Sequence, residues 1–268
     1  MTPWLSYLGI GAGAGVLAGL LGVGGGLVIV PLLAFVFAAQ GLPPQHVQHL
    51  ALGTSLATII FTSVSSSRAH HRRGAVNWEV VRRISFGIVA GTFGGSWIAA
   101  RLPTDLLKAF FAAFLIFVAL QMWLDIRPKP SRQLPGPAGM LSTGGGIGFV
   151  SSLVGIGGGT MSVPFLLWCN LPVRTAIGTS AAIGFPIAVA GAAGYIVNGW
   201  AAAGLPAGSL GFVYLPALVA VAAASFALAP LGAWLAHRVP VRPLRRGFAL
   251  FIVAIAARIV ASLLSQKA

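Results

Sequence analysis

Acidic residues are almost missing from this chain of 268 residues, which has 3 Asp and Glu against 17 Lys and Arg. Charged residues make up only 7%, whereas soluble domains carry about a quarter. The three acids, Glu79, Asp105 and Asp125, lie outside the strongly apolar runs, which argues against carboxylate catalysis. A single cysteine, Cys169, excludes an internal disulfide framework and a cysteine-based zinc site.

Hydrophobic residues, by contrast, make up 57% of the chain. Small basic clusters separate the apolar runs, as the positive-inside rule produces in membrane proteins, and nucleic-acid binders instead gather basic residues on a water-facing surface. A bilayer core needs about 20 apolar residues per helix. Six runs fit one crossing, and two, 4–39 and 138–169, are longer and are broken by glycines. The six are 47–67, 84–100, 105–124, 175–197, 211–236 and 244–264. The sequence predicts an all-α polytopic membrane protein.

The two long runs expose an internal repeat. Residues 22–26 read Gly-Val-Gly-Gly-Gly and 155–159 read Gly-Ile-Gly-Gly-Gly, and each is followed five residues later by a proline, Pro31 or Pro164. The next run opens with Leu-Gly-Thr-Ser at 52–55 and with Ile-Gly-Thr-Ser at 177–180. Further on, Trp97 and Pro103 match Trp234 and Pro240. We therefore predict repeats at 1–125 and 138–268, joined by a Pro-rich, basic, cytoplasmic linker at 126–137.

Arginine placement indicates that the repeats are inverted. The loop after the first Gly-Thr-Ser helix holds Arg68, Arg72, Arg73, Arg82 and Arg83, whereas its counterpart, 198–210, holds no charge. The next loops reverse this bias, with Arg101 and Lys108 against Arg238, Arg242, Arg245 and Arg246. Equivalent loops of opposite charge are expected on opposite sides of the membrane. Each repeat is then a glycine-broken helical hairpin followed by three transmembrane helices, with the hairpin either re-entrant or fully spanning and both termini outside.

Two inverted repeats with broken helices are typical of transporters that bind substrate near the membrane midplane. At each glycine turn a helix begins, so free N–H groups and a positive dipole end point into the membrane, and glycine lets an anion approach them. The predicted substrate-binding glycines are Gly24, Gly25, Gly26, Gly157, Gly158 and Gly159. The predicted hydroxyl ligands are Thr54, Ser55, Thr160, Thr179 and Ser180, with Ser162 nearby. No metal site, cofactor, nucleotide-binding segment or nucleophile–base pair is predicted, so enzymatic activity and nucleic-acid binding are not expected.

Each feature also has a simpler interpretation. Glycine turns also permit close helix packing, and hydroxyls also bond to carbonyls of their own helix. His46 and His49 begin a span at the predicted outer face, where they are either titrating gates or ordinary interfacial residues. Arg258, near the outer end of the last span, either extends to the interface or binds substrate. For the whole chain, a passive anion channel is the alternative to a secondary transporter.

The paired Gly-x-Gly-Gly-Gly…Pro segments, each followed by a (Leu/Ile)-Gly-Thr-Ser helix, resemble the sulfite exporter TauE/SafE-like family over residues 4–264. The resemblance implies a multi-pass protein of the bacterial inner membrane. It also implies a small anionic cargo, a sulfur-containing oxyanion or an organosulfonate similar to sulfite. It does not imply a particular substrate, a direction or a coupling ion.

Overall fold

The computed structural model describes residues 3–21, 25–124, 132–235, 238 and 241–265. Within them the first half contains α1 (Pro3–Leu21), α2 (Gly26–Ala39), α3 (Val47–His71), α4 (Trp78–Ala99) and α5 (Thr104–Trp123). The second half contains α6 (Pro137–Val154), α7 (Gly159–Trp168), α8 (Val173–Gly199), α9 (Leu215–Leu235) and α10 (Val241–Ser265). A short antiparallel pair, β1 (Ser209–Leu210) with β2 (Val213–Tyr214), precedes α9 and was not predicted. The all-α class is confirmed.

Six of these helices are long and apolar enough to cross a membrane: α1, α3, α5, α8, α9 and the part of α10 from Gly247. The set differs from the six predicted crossings because α1 belongs to it and α4 does not. Although α4 has 22 residues, it carries Glu79, Arg82 and Arg83 in its first two turns. The polytopic membrane architecture is thus confirmed, although the six long apolar helices are not the same six that the sequence predicted.

Both long apolar runs are broken at their glycines, as predicted, but the arms of each hairpin are unequal. The first arms, α1 and α6, have 19 and 18 residues, and the second arms, α2 and α7, have 14 and 10. At 1.5 Å per residue α2 and α7 extend about 21 and 15 Å. A bilayer core is about 30 Å thick, so neither second arm crosses it alone. This favours re-entrant hairpins over two additional crossings.

In each half, the first helix of the hairpin packs against a helix of the other half. Helix α1 packs along α9, and its equivalent α6 packs along α4, the equivalent of α9. Glycines make these contacts possible, because a Cβ atom on Gly15 would overlap the backbone of Ser225 and one on Gly91 would overlap the backbone of Gly145. Small residues let helices approach closely in membranes, where lipid removes the hydrophobic drive for helix association. The reciprocal pattern is what a two-fold relation between the repeats requires.

Helices α3 and α8, which are also equivalent, pack against each other at the centre of the molecule and run antiparallel. A Cβ atom on Gly191 of α8 would lie 2.8 Å from Leu56, whereas one on Gly184, earlier in α8, would lie 3.5 Å from Ser63, later in α3. Parallel repeats would point equivalent helices in the same direction across the membrane. The packing therefore favours inverted repeats, while their boundaries and their orientation in the membrane stay predictions.

Candidate functional site

The two glycine turns have the same backbone geometry. Gly25, before α2, has φ 79° and ψ −11°, and Gly158, before α7, has φ 75° and ψ −13°. In each turn the glycine carbonyl accepts hydrogen bonds of 2.8–3.0 Å from the N–H groups three and four residues ahead. The first N–H groups of a helix have no acceptor within it. The donors left for a ligand are therefore those of Gly26, Leu27, Gly159 and Thr160.

Both of these helix starts lie at mid-depth of their hairpins. A Cβ atom on Gly25 would lie 2.9 Å from the carbonyl oxygen of Ala14, near the middle of α1. A Cβ atom on Gly158 would lie 3.5 Å from Ile147, near the middle of α6. Each first arm thus extends beyond the level of its turn glycine.

The two turns also touch each other. A Cβ atom on Gly26 would overlap the carbonyl oxygen of Gly155, so only glycine permits this approach. Ser55, from α3, is fully buried and donates to the same carbonyl oxygen at 2.8 Å. The start of α2 therefore contacts the turn that precedes α7 inside the protein, and the C-cap carbonyl of α6 at this contact is already bonded to Ser55.

Next to the second turn lies a narrow crevice between α1, α3 and α8, which hydroxyl residues line although most of its accessible wall is apolar. Its walls leave no room for a water molecule. The described residues that line it are Ala18, Thr62, Ser63, Ser66, Gly157, Ser180, Ala181 and Gly184, none of which is ionisable. Such a lining offers hydroxyl groups and a glycine backbone without a fixed charge, which suits weak, reversible binding of an anion.

Ser66 is distinctive among the crevice hydroxyls. Its side chain is 2% exposed, and its Oγ has no hydrogen-bond partner in the described part of the chain. Thr62, one turn earlier, donates to the carbonyl of Thr58 at 3.2 Å and pairs with Ser225 at 2.8 Å. Leaving a buried hydroxyl unpaired costs about 1–3 kcal/mol, so Ser66 is the group that gains most from a ligand in the crevice.

Two predicted ligands, Thr54 and Thr179, have structural partners instead. The Oγ1 of Thr54 accepts from the N–H of Tyr214 at 2.9 Å, and that of Thr179 accepts from the N–H of Asn77 at 2.9 Å. In both cases the donor lies just before the helix, α9 or α4, that follows in the opposite half. These equivalent hydrogen bonds join the repeats to each other and use an acceptor position of each oxygen, while the ligand role of the O–H groups stays a prediction.

The other predicted residues fall into three groups. Gly25, Gly26, Gly158, Gly159 and Thr160 form the two helix starts, and Gly157 and Ser180 line the crevice. Ser55 joins α3 to the second turn, and Ser180 pairs with Ser162 at 2.7 Å. Gly24 lies outside the described residues. Thr62, Ser63 and Ser66 of the crevice were not predicted, although five hydroxyl residues within 62–67 of an apolar span were a usable signal.

A second cavity, of about 550 Å³, opens at the predicted outer end of α3 and holds both histidines singled out in the sequence. The Nε2 atom of His46 lies 3.0 Å from the carbonyl of Ala203, and that of His49 lies 3.2 Å from the carbonyl of Ala99. The Phe212 ring, from the unpredicted strand pair, packs on His49 with 4.9 Å between ring centroids. Within the described residues no three His, Cys, Asp or Glu side chains lie close enough to hold a metal ion.

Comparison with known proteins gives one family. The sequence matches the model of the sulfite exporter TauE/SafE family over residues 7–259. It is 39% identical over 249 residues to a probable membrane transporter protein of Haemophilus influenzae, covering 92% of this chain and 94% of the relative. It is 30% identical over 210 residues to the probable membrane transporter protein YunE of Bacillus subtilis, covering 71% of this chain and 77% of the relative. No solved structure matches.

Proposed function

Because the chain belongs to the sulfite exporter TauE/SafE family, we propose that it is a secondary transporter that carries a small sulfur-containing oxyanion or organosulfonate, similar to sulfite, across the bacterial inner membrane. Its relatives are named probable membrane transporters, and the described helices are those of a multi-pass membrane protein. One observation supports the proposal about mechanism: two helix starts of equal geometry lie at mid-depth of their hairpins, and the first contacts the turn that leads into the second.

The proposed site holds the anion without a fixed positive charge. One helix end contributes about 0.3–1 kcal/mol to anion binding when exposed and up to about 2 kcal/mol when partly buried. Two such ends, with hydrogen bonds from backbone N–H groups, offset the loss of water around one oxyanion, and Ser66 offers a further donor about 16 Å along α3 from Ser55 on the anion's path through the crevice. A site assembled from partial charges still releases its cargo, as a transporter requires.

Alternating access between inverted repeats explains the closed crevice. The crevice leaves no room for a water molecule, so an oxyanion enters only when the hairpins and the α3–α8 pair move apart. An inverted duplication supplies equivalent movements that open toward opposite sides of the membrane. The closed site supports a carrier rather than a continuously open channel.

Flux measurements test this proposal. The protein is reconstituted in proteoliposomes, and uptake of sulfite, small organosulfonates, sulfate and carboxylates is measured with and without a pH gradient. We expect saturable flux of at least one sulfur-containing anion. Conductive flux that does not saturate would support a channel, and absence of flux for every sulfur-containing anion would reject the proposed cargo.

Two adjacent serines of α3 test the site itself. Ser66→Ala removes the unpartnered hydroxyl, so we expect weaker binding of the transported anion, by about 1.5–3 kcal/mol if the lost hydrogen bond is to a charged group, with unchanged or higher thermal stability. Ser65→Ala is the control, because Ser65 Oγ donates to the carbonyl of Phe226 at 2.7 Å and does not line the crevice. Equal binding by wild type and Ser66→Ala would remove Ser66 from the site.

A further inference from the structure

A third cavity, of about 360 Å³, lies near the predicted outer end of the molecule, between α2, α3, α5 and α10. Its wall is largely apolar and includes Phe35 of α2, Val47 of α3 and Ile259 of α10. Three polar residues, Gln48, Lys108 and Ser262, also line it. A cavity with long apolar walls and a few nitrogen donors fits an amphiphile better than a small hydrated anion.

Gln48 supplies a buried donor without a partner. Its side chain is 3% exposed, and its Nε2 has no hydrogen-bond partner among the described residues. The equivalent position in the second repeat, at the offset of the Gly-Thr-Ser motifs, is Val173. Duplication and helix packing therefore do not require an amide at this position, and a ligand in the cavity would satisfy it.

Lys108 supplies a partly buried cation. Basic residues are rare on the predicted outer side, yet the side chain of Lys108 is only 19% exposed and faces the cavity. Its ion pair with Asp105 is 3.3 Å long, and the Asp105 side chain is 64% exposed. The exposed carboxylate keeps this pair weak, and a lysine ammonium has three donors, so Lys108 can bind an anion while it keeps Asp105.

Arg258 places a second cation at the rim. Its guanidinium lies 4.8 Å from the centroid of the Phe35 ring, which lines the cavity. Arg258 is exposed on α10 and precedes the end of that helix by seven residues, about 10 Å. The acidic side chains that the structure describes, Glu79 and Asp105, pair with Arg83 and Lys108 rather than with Arg258. An arginine at this depth and without an acidic partner is costly in lipid, and a lipid phosphate would offset that cost.

We propose that this cavity binds one anionic phospholipid of the outer leaflet. Its phosphodiester group lies between Lys108 and Arg258 and accepts a hydrogen bond from Gln48, and an acyl chain lies along the apolar wall. The site is separate from the mid-depth transport site, although α2 contributes to both. Lipid occupancy therefore adds contacts to the hairpin arm whose first turn forms the substrate site.

Native mass spectrometry of the detergent-solubilised protein, with phosphatidylglycerol added in steps and no transported anion present, measures the proposed binding. We expect one tightly bound phosphatidylglycerol in the wild type and at least about tenfold weaker binding in Lys108→Gln and in Arg258→Gln, because each substitution removes a charge-assisted contact. The control is Arg101→Gln, a predicted outer cation whose guanidinium stacks on Trp97 at 3.7 Å and does not line the cavity. It should bind phosphatidylglycerol like the wild type.

Additional variants and ligands distinguish the possible occupants of the cavity and show whether a loss of binding is due to misfolding. Ala34→Trp fills the cavity without changing charge and should also abolish tight binding, while Gln48→Leu should weaken it in a protein of normal thermal stability. Equal binding of phosphatidylcholine, or displacement by millimolar inorganic phosphate, would overturn the proposal in favour of a nonspecific or a free-anion site. Equal loss in Arg101→Gln would also overturn it. Because no cargo is used, these results are independent of the transport assay.

Discussion

Gly25 and Gly158 adopt a left-handed backbone, with φ of 79° and 75°, that strains any residue with a Cβ atom. A side chain at Gly25 would also meet the backbone oxygen of Ala14 at 2.9 Å, and one at Gly158 would meet the end of the Ile187 side chain. A bulky replacement at either position therefore distorts the turn as well as blocking an anion. A valine variant at either position therefore does not separate the loss of anion binding from distortion of the turn.

Alanine at position 158 gives a sharper test. We expect Gly158→Ala to lower the free energy of unfolding by about 1–2 kcal/mol through left-handed backbone strain alone, with a further loss from the contact with Ile187. Adding Ile187→Val removes the obstructing methyl group. It should recover only the part of the free energy of unfolding that is lost through the contact with Ile187. Gly146→Ala is the control, because a Cβ atom there meets nothing within 4 Å. Thermal unfolding in detergent measures all three, and equal stability of Gly158→Ala and Gly146→Ala would contradict the requirement for glycine.

At the scale of residues, the sequence predicted which glycines form the turns but not which hydroxyls face the crevice. Spacing in a duplicated motif identifies Gly25 and Gly158, because a turn is a local property of the backbone. Ser65 and Ser66 are adjacent serines in the same apolar helix, and only packing against α9 gives the first a partner and leaves the second without one. The hydrogen bonds that Thr54 and Thr179 accept were not predicted for the same reason, since the donors lie in the opposite half of the chain.

At the scale of elements, the contact of α4 with α6 depends on bare backbone. A Cβ atom on Gly91 would overlap the carbonyl oxygen of Gly145, whereas Gly94, less than one turn later, is exposed and meets nothing within 4 Å. We expect Gly91→Val to force the helices apart and to lower the melting temperature markedly, since overpacking usually costs about 1–3 kcal/mol even where side chains can adjust. Gly94→Val should leave the melting temperature nearly unchanged. Similar melting temperatures for the two variants would show that the contact is not essential.

Some features of the secondary-structure elements could be predicted from the sequence, and others could not. Long apolar runs and their glycine breaks predicted the hairpins because length and helix interruption are readable along the chain. The pair β1–β2 has two residues per strand, too few for a periodic pattern, yet it places Phe212 against His49. The packing of α1 on α9 and of α6 on α4 could not be predicted, because the spacing of glycines indicates a close helix contact but not which helix makes it.

At the scale of the molecule, the packing of equivalent helices has a mechanical consequence. The first arms α1 and α6 pack on α9 and α4 of the opposite repeat, whereas the second arms α2 and α7 pack on α3 and α8 of their own, so each hairpin is attached to both repeats. In the alternating-access mechanism that we propose, a movement of one first arm is therefore transmitted to a helix of the other repeat, and this packing couples the two gates.

The opposite orientation of the two repeats in the membrane is the remaining prediction at this scale, and cysteine labelling tests it. Arg72 and Ala201 are exposed residues just after the equivalent helices α3 and α8. The positive-inside rule places the arginine-rich loop of Arg72 in the cytoplasm and the uncharged loop of Ala201 outside. In intact cells an impermeant maleimide should therefore label Ala201→Cys at once and Arg72→Cys only after permeabilisation.

The native thiol does not obscure this measurement. Burial raises the pKa of the Cys169 thiol, with Arg132 opposing in part, so little reactive thiolate forms near pH 8, and Cys169→Ala removes what remains. Pro43→Cys, in the loop between α2 and α3, is a second outer position and should label like Ala201→Cys. Labelling of positions 72 and 201 from the same side would show parallel repeats. Such repeats could not produce the antiparallel contact of α3 with α8 while both helices cross the membrane, so the labelling result and the helix packing must agree.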